Sequence, residues 1–249
     1  MPLALLLAII FLASFILTMV GLGGGLIFSP LFVLLKYPVT TAVSASLFLN
    51  GIAAFSASIN YFRKRMVDIK TGLPLLIAST LCAPLGAMLT TRINIDLFIA
   101  ILALVIFLAA IRMLFSKKIE AEAMDIGHVR RIIGGGGIGV IIGLMAGLLG
   151  IGGGVFIVPL LIYLLKVPTK TAAATSIFIV VFSSFSGFIA HISLADTDWK
   201  FILMAAIFSF TGGQLGSKIM AEKLKGRTVR QIFGIVLLIF VAKLVQRVI

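Results

Sequence analysis

GLGGGLIFSPL, Gly21–Leu31, is the stretch on which the fold turns. It follows an apolar run, sets three glycines in a row and then a proline, and makes poor material for a continuous helix in lipid. The pattern returns as GIGGGVFIVPL, Gly150–Leu160. A chain that interrupts itself twice in the same way, at matched positions, is hard to explain by packing alone.

The surroundings of both stretches are apolar. Of 249 residues, 61% are hydrophobic and 12% charged, and the mean hydropathy is +1.25. A water-soluble domain of that composition would have too little polar surface to face solvent. Runs such as Pro2–Val20, Val39–Phe62, Ile95–Phe115 and Val229–Leu244 approach or exceed the roughly 20 residues a spanning helix needs. The expected class is an all-α polytopic membrane protein; a β-barrel would show short alternating segments instead. The net charge of +13 sits in short Lys/Arg clusters between apolar runs, as the positive-inside rule produces, so the expected partner is the bilayer and not nucleic acid. A single cysteine, Cys82, excludes an intrachain disulfide and a cysteine-based metal cluster, and reads as a small packing residue. Met1–Val20 lacks the basic n-region and small-residue cleavage site of a signal peptide, and Ile141–Leu149 stands in the same place ahead of the second triplet. It is expected to be structural.

The two stretches belong to an internal repeat. Gly21–Lys36 aligns with Gly150–Lys166 with one residue of slip. Beyond that Pro38 matches Pro168, Thr41 matches Thr171, Ser46 matches Ser176 and Gly86 matches Gly216. The expected organisation is a first transmembrane repeat (1–115), a cytoplasmic linker (116–131) and a second transmembrane repeat (132–249). Charge sets their relative orientation. Arg63–Lys70 is basic, while its counterpart Ser193–Lys200 is acidic; Thr90–Asp96 is weakly charged, while Lys218–Arg230 is basic. By the positive-inside rule the repeats lie upside down relative to each other, each with an odd number of crossings, and both termini face outside. Five apolar segments per repeat give that count. The second of each, Leu26–Leu35 and Val155–Leu165, is short: at about 1.5 Å per residue it covers half to two-thirds of the hydrocarbon core. Either it crosses obliquely, or it forms a re-entrant hairpin with the first segment.

The break has a chemistry. Non-helical backbone within a bilayer is tolerated only where it is buried in protein or lines a wet cavity. Glycines at Gly23, Gly24, Gly25 and at Gly152, Gly153, Gly154 leave the backbone uncovered, and the helix that restarts presents free N–H groups and its positive dipole end. Such ends bind anions without a side-chain charge, and paired ends near the midplane are a recurring transporter site. Pro30 and Pro159 lie five residues after each triplet, where a proline frees a carbonyl and fixes a kink. The hydroxyl-rich runs Thr40–Ser46 and Thr169–Ser176 follow, and Ser46, Asn50, Thr175 and Ser176 are the candidates to complete a shell of neutral donors. Neutral donors hold an oxyanion without an ion pair too tight to release it.

Other patterns point elsewhere. Gly135, Gly139, Gly143 and Gly147 recur every four residues, as do Gly212 and Gly216; these small-residue faces are assigned to helix packing. Gly134, Gly136 and Gly139 fit G-x-G-x-x-G, but no strand precedes them. Ser186 and His191 lack the context of a hydrolase nucleophile. No P-loop or metal-ligand cluster is present, so no cofactor, metal or enzymatic activity is expected. All eight acidic residues lie in expected loops or near span ends, which disfavours a cation pump. Lys36 and Lys166, beside Pro38 and Pro168, read as interfacial anchors.

At these residues the chain resembles the TauE/SafE family, the sulfite-exporter-like membrane transporters. The resemblance rests on GLGGGLIFSPL, GIGGGVFIVPL, the alanine run ending in Thr175-Ser176, and the late glycines Gly212–Gly216; the first repeat has Ser44-Ala45-Ser46 where the second has Ala174-Thr175-Ser176. It implies passage of a small sulfur-containing anion (sulfite, thiosulfate or an organosulfonate) across a prokaryotic inner membrane, with homo-oligomerisation left open. A passive anion channel and a non-transporting membrane scaffold or assembly factor are the alternatives.

Overall fold

The structure, a computed structural model, describes residues 3–23, 25–89, 95–115, 128–149, 154–192 and 199–248. Those residues form ten helices and no strand. The helices are α1 (Leu3–Val20), α2 (Gly25–Leu34), α3 (Val39–Arg63), α4 (Ile69–Leu89), α5 (Ile95–Phe115), α6 (His128–Leu149), α7 (Gly154–Tyr163), α8 (Thr169–Ile192), α9 (Trp199–Glu222) and α10 (Gly226–Val248). Among the described residues three stretches, Leu3–Val20, Thr41–Arg63 and Thr169–Ile189, are long and apolar enough to cross a bilayer. Leu81, Phe115, Ile133 and Ile189 are among the large apolar side chains turned outward, as a lipid-facing surface requires. The expected linker begins beyond α5, but its last four residues belong to α6, and residues 116–127 lie outside the described set.

The glycine stripes set the packing. A methyl group at Gly135 would lie 2.8 Å from the Thr71 carbonyl oxygen and one at Gly139 would lie 2.6 Å from that of Leu75, while Gly143 abuts Ser79 and Cys82. The paired numbers rise together, so α4 and α6 run parallel with their backbones in near contact. Cys82 is there the small packing residue its context predicts. Gly212 meets Phe11 and Ser14, and Gly216 meets Phe15 and Thr18, so α1 and α9 are also parallel. By contrast Gly51 faces Phe185 and Gly187 faces Leu47, which makes α3 and α8 antiparallel. Gly234 faces Ala110 and Leu114, and Arg230 Nε donates to the Met113 carbonyl, so α5 and α10 are antiparallel too. Without a hydrophobic drive between helices in lipid, close approach over small residues and interhelical hydrogen bonds are what hold such pairs.

The short helices turn back. Phe28 and Phe32 of α2 share a core cluster with Leu6 and Ile10 of α1 and with Phe201 at the start of α9. Leu165, just beyond α7, packs on Gly134 near the start of α6. Each of α2 and α7 therefore returns along the helix before it, and of the two arrangements open to the sequence the hairpin is the one adopted. Both hairpins close in the same way. Lys36 and Lys166 hold φ of 64° and 53°, the left-handed region, just past their helices. The amide of Tyr37 reaches the Phe32 carbonyl at 3.1 Å and that of Val167 reaches Leu161 at 3.1 Å. The matched lysines are thus helix caps. Arg65 (φ 53°) closes α3 in the same fashion.

Two glycines in α6 predict opposite outcomes. Gly137 has no atom near its missing side chain, so Gly137→Ala leaves stability unchanged or raises it by up to about 1 kcal/mol through helix propensity. Gly139→Val pushes into the α4 backbone and costs about 1–3 kcal/mol or more. Thermal unfolding of the two purified variants in detergent checks the contrast; equal melting would contradict the parallel α4–α6 contact.

Candidate functional site

The helices restart at the last glycine of each triplet: α2 at Gly25 and α7 at Gly154. Gly24, Gly152 and Gly153 lie outside the described residues. On the first side, Gly21 and Gly23 hold φ of 89° and 71°, a conformation that only glycine adopts freely. The chain leaves α1 through a bond from the Leu22 amide to the Leu17 carbonyl at 3.0 Å, and then turns.

The two breaks meet. A methyl group at Gly154 would lie 2.9 Å from the Leu22 carbonyl oxygen and 3.1 Å from Val180 Cγ2. One at Gly23 would lie 2.9 Å from Val180 Cγ1 and would collide with Asn50 Oδ1. Backbone from the first interruption, the N-terminus of α7, Val180 of α8 and Asn50 of α3 therefore share one buried spot. Val180 and Asn50 are 2% and 6% exposed.

Asn50 is the polar side chain of this spot. Its Nδ2 donates to Ser184 Oγ at 2.7 Å, one turn along α8 from Val180. Its Oδ1 is buried and has no hydrogen-bond partner. An orphaned buried acceptor costs about 1–3 kcal/mol and calls for an explanation. A serine hydroxyl donates as readily as it accepts, so the amide can turn end for end while keeping its bond to Ser184. Turned, it offers the glycine break two N–H donors. Ser184 was not among the sequence candidates. Its only signal was its place one turn beyond Val180, and nothing in the sequence says which face of α8 meets the break.

The remaining candidates take different places. Ser176, fully buried, donates from Oγ to the Gly21 carbonyl at 2.6 Å, tying α8 to the break itself. Thr175 is also fully buried, but its Oγ1 accepts the Asp68 amide at 2.9 Å, which ties it to the turn before α4. Ser46 is 3% exposed, within α3 and one turn before Asn50. Pro30 is half-buried inside α2, where its missing N–H leaves the Leu26 carbonyl without its helical partner. Pro159 does the same inside α7 and also lines a lateral, mostly apolar cavity with Arg112 and Tyr163. Among the described residues no group of three or more His, Cys, Asp or Glu is arranged to hold a metal ion.

An apolar helical fold whose two interrupted hairpins meet at a buried, neutral, polar spot is that of a membrane transporter. The chain belongs to the sulfite exporter TauE/SafE family, whose profile matches residues 6–244. It is 28% identical to the probable membrane transporter protein YunE of Bacillus subtilis, over 92% of both chains. It is 25% identical to the probable membrane transporter protein YdhB of the same organism, over 86% of this chain and 89% of that one. A probable membrane transporter protein of Haemophilus influenzae is 28% identical over 98% and 94%. No solved structure matches the chain significantly.

Gly23→Ala is expected to lose about 1–2 kcal/mol to its left-handed backbone, plus the displacement of Asn50. Adding Asn50→Ala should return part of that loss, as a coupling of about 0.5–3 kcal/mol in a double-mutant cycle read by thermal unfolding. Strictly additive effects would mean the two residues are not in contact.

Proposed function

We propose that the protein is a secondary transporter of a small sulfur-containing anion (sulfite, thiosulfate or an organosulfonate) in a prokaryotic inner membrane. The family relationship supports the substrate class, and the printed names of the relatives support transport. The observation that carries the proposal is the convergence of Leu22, Gly23 and Gly154 on Val180 beside Asn50. The N–H groups at the start of α2 and α7 and the turned amide of Asn50 hold the anion, and Ser176 keeps the break in shape. None of these groups carries a formal charge, which suits a site that must release what it binds.

In this proposal residues 1–115 and 132–249 are inverted repeats. The directions of the helices support it. An in-plane two-fold axis exchanges α1 with α6 and α4 with α9, and it requires the pairs α1–α9 and α4–α6 to be alike. It also requires α3 to oppose α8 and α5 to oppose α10. The basic turns Arg63–Arg65 and Lys223–Arg227, joined by an ion pair of 3.1 Å between Lys64 and Glu222, lie on the cytoplasmic face. Each hairpin enters and leaves on one side, so each repeat crosses three times and both termini are outside.

Counterflow in proteoliposomes tests the proposal. Wild-type protein should exchange labelled sulfite or thiosulfate with saturation, and Asn50→Leu, which keeps the branched side-chain skeleton, should lower kcat/KM at least tenfold, about 1.4 kcal/mol of lost stabilisation. Normal exchange by a folded Asn50→Leu protein would remove the site. Flux without saturation or counterflow would make the protein a channel.

A further inference from the structure

The positions that match between the two halves surround two very different spaces. Pro38 and Pro168 set an offset of 130 residues, by which Thr41 corresponds to Thr171, Ala45 to Thr175, and Phe201 to Thr71. Around Thr171 lies a cavity of about 250 Å³, lined by Arg65, Asp68, Thr71, Lys166 and Pro168 among others. Around Thr41 the corresponding space is about 10 Å³ and is lined by Phe32, Tyr37, Ala45 and Phe201. There Phe32 meets Tyr37 edge-on at 5.9 Å and Phe201 edge-on at 6.0 Å, while Tyr37 stacks on Phe201 at 6.3 Å. One chamber is open and lined by charged and hydroxyl side chains together with Met66, Val67, Leu165 and Val167; its counterpart is filled by three rings.

We infer that the open chamber is a second anion site, where the transported anion docks before it reaches the glycine breaks. The inference rests on the anion-transport proposal above and extends it. Two cationic side chains, Arg65 and Lys166, line the chamber, and both stand on left-handed turns that fix where their side chains begin. The first turns of α4 and α8 also line it, through Thr71 and Thr171, and both helices present their positive ends there. The carboxylate of Asp68 is engaged as the cap of α4: Oδ2 accepts the Thr71 hydroxyl at 2.7 Å and Oδ1 the Thr71 amide at 3.3 Å. The remaining field favours an oxyanion of one or two charges with part of its water. Lys170, the residue before Thr171 in the first turn of α8, donates to the Ala221 carbonyl at 2.8 Å.

The chamber and the breaks share α8. Its wall residue Asp68 donates its amide to Thr175, one turn along α8 from Thr171, and the next residue, Ser176, holds Gly21. From Thr171 to Val180 is about 14 Å at the helical rise of about 1.5 Å per residue. The Asp68–Thr175 bond therefore stands between the docking chamber and the meeting point of the breaks. On the opposite side the rings of Phe32, Tyr37 and Phe201 occupy the equivalent entrance, so an anion enters this state of the protein from one side only.

Small-reagent accessibility and ligand protection test this on purified protein, with Cys82→Ser as background. Thr171→Cys should react with N-ethylmaleimide at least tenfold faster than Thr41→Cys, and Phe201→Ala should raise the Thr41→Cys rate. Methanesulfonate, which does not consume maleimide, should slow the Thr171→Cys reaction, and Arg65→Gln with Lys166→Gln should abolish that protection. Equal rates at the two positions would overturn the one-sided opening. Protection that survives loss of both cations, or no protection by methanesulfonate or sulfate while Asn50-dependent counterflow persists, would overturn the docking site and leave the central site standing. Absence of any saturable counterflow would remove both.

Discussion

The structure depends on one constraint: peptide groups freed from a helix inside apolar surroundings must be satisfied by the protein itself. Each one left bare in hydrocarbon costs several kcal/mol. The chain meets that demand at the first break with specific partners. The Gly21 carbonyl receives the Ser176 hydroxyl at 2.6 Å, and the Leu22 amide reaches back to Leu17. A methyl group at Gly21 would lie 2.6 Å from the Ala173 Cα, so α8 passes close only because glycine faces alanine. The run of alanines at Ala172–Ala174 and Ser176, two residues beyond it, are thus consequences of the break. α8 is held where it can present Val180 and Ser184 to the same spot. The hairpins, the position of α8 and the buried amide of Asn50 follow from a backbone that could not be left alone.

Much of this was legible because glycine and proline speak directly about backbone. The triplets marked where α2 and α7 begin, and the four-residue spacing of Gly135, Gly139 and Gly143 marked a packed face. What the spacing could not say was which helix would fill that face, since the partner α4 lies on the far side of the linker and any apolar span with small residues would serve. Side-chain direction was equally hidden. Thr175 and Ser176 are neighbours, but successive residues on a helix point about 100° apart. One therefore goes to the turn at Asp68 and the other to the break. Lys36 and Lys166 read as interfacial anchors because composition shows charge; the left-handed backbone that also makes them caps leaves no mark in composition.

The helix pairing has a mechanical consequence. The first helix of each half is locked to the fourth helix of the other, α1 on α9 and α6 on α4, with carbonyl oxygens packed into glycine notches. Such contacts do not slide gradually, because a shift of one residue replaces a glycine with a side chain. The hydroxyls add to this: Ser14 bonds to Ser209 at 3.0 Å, and Ser209 donates to the Leu49 carbonyl at 2.8 Å. The units that can move as rigid bodies are therefore composites drawn from both halves, not the halves themselves. The short helices are less constrained. Each has a proline in its middle and a break at its start, so it has fewer backbone bonds to lose when it tilts.

The sequence repeat pairs unlike side chains at the meeting point of the breaks. By the same offset that pairs Pro38 with Pro168, Asn50 pairs with Val180, an amide opposite an isopropyl group. Both face the breaks, and Val180 touches both of them. In the proposed anion site two amides would give more donors than a small anion can use, and each unused one would be an orphan in the empty protein. Two valines would leave binding to peptide groups alone, with nothing to distinguish an oxyanion from any other negative solute. One of each leaves a single adjustable polar group, held by Ser184 and able to present either end. The cost of that arrangement is visible in the bare Asn50 Oδ1. In the proposed anion site a bound anion facing the turned amide would remove it, and part of the affinity would come from relieving a deficit already present in the empty protein.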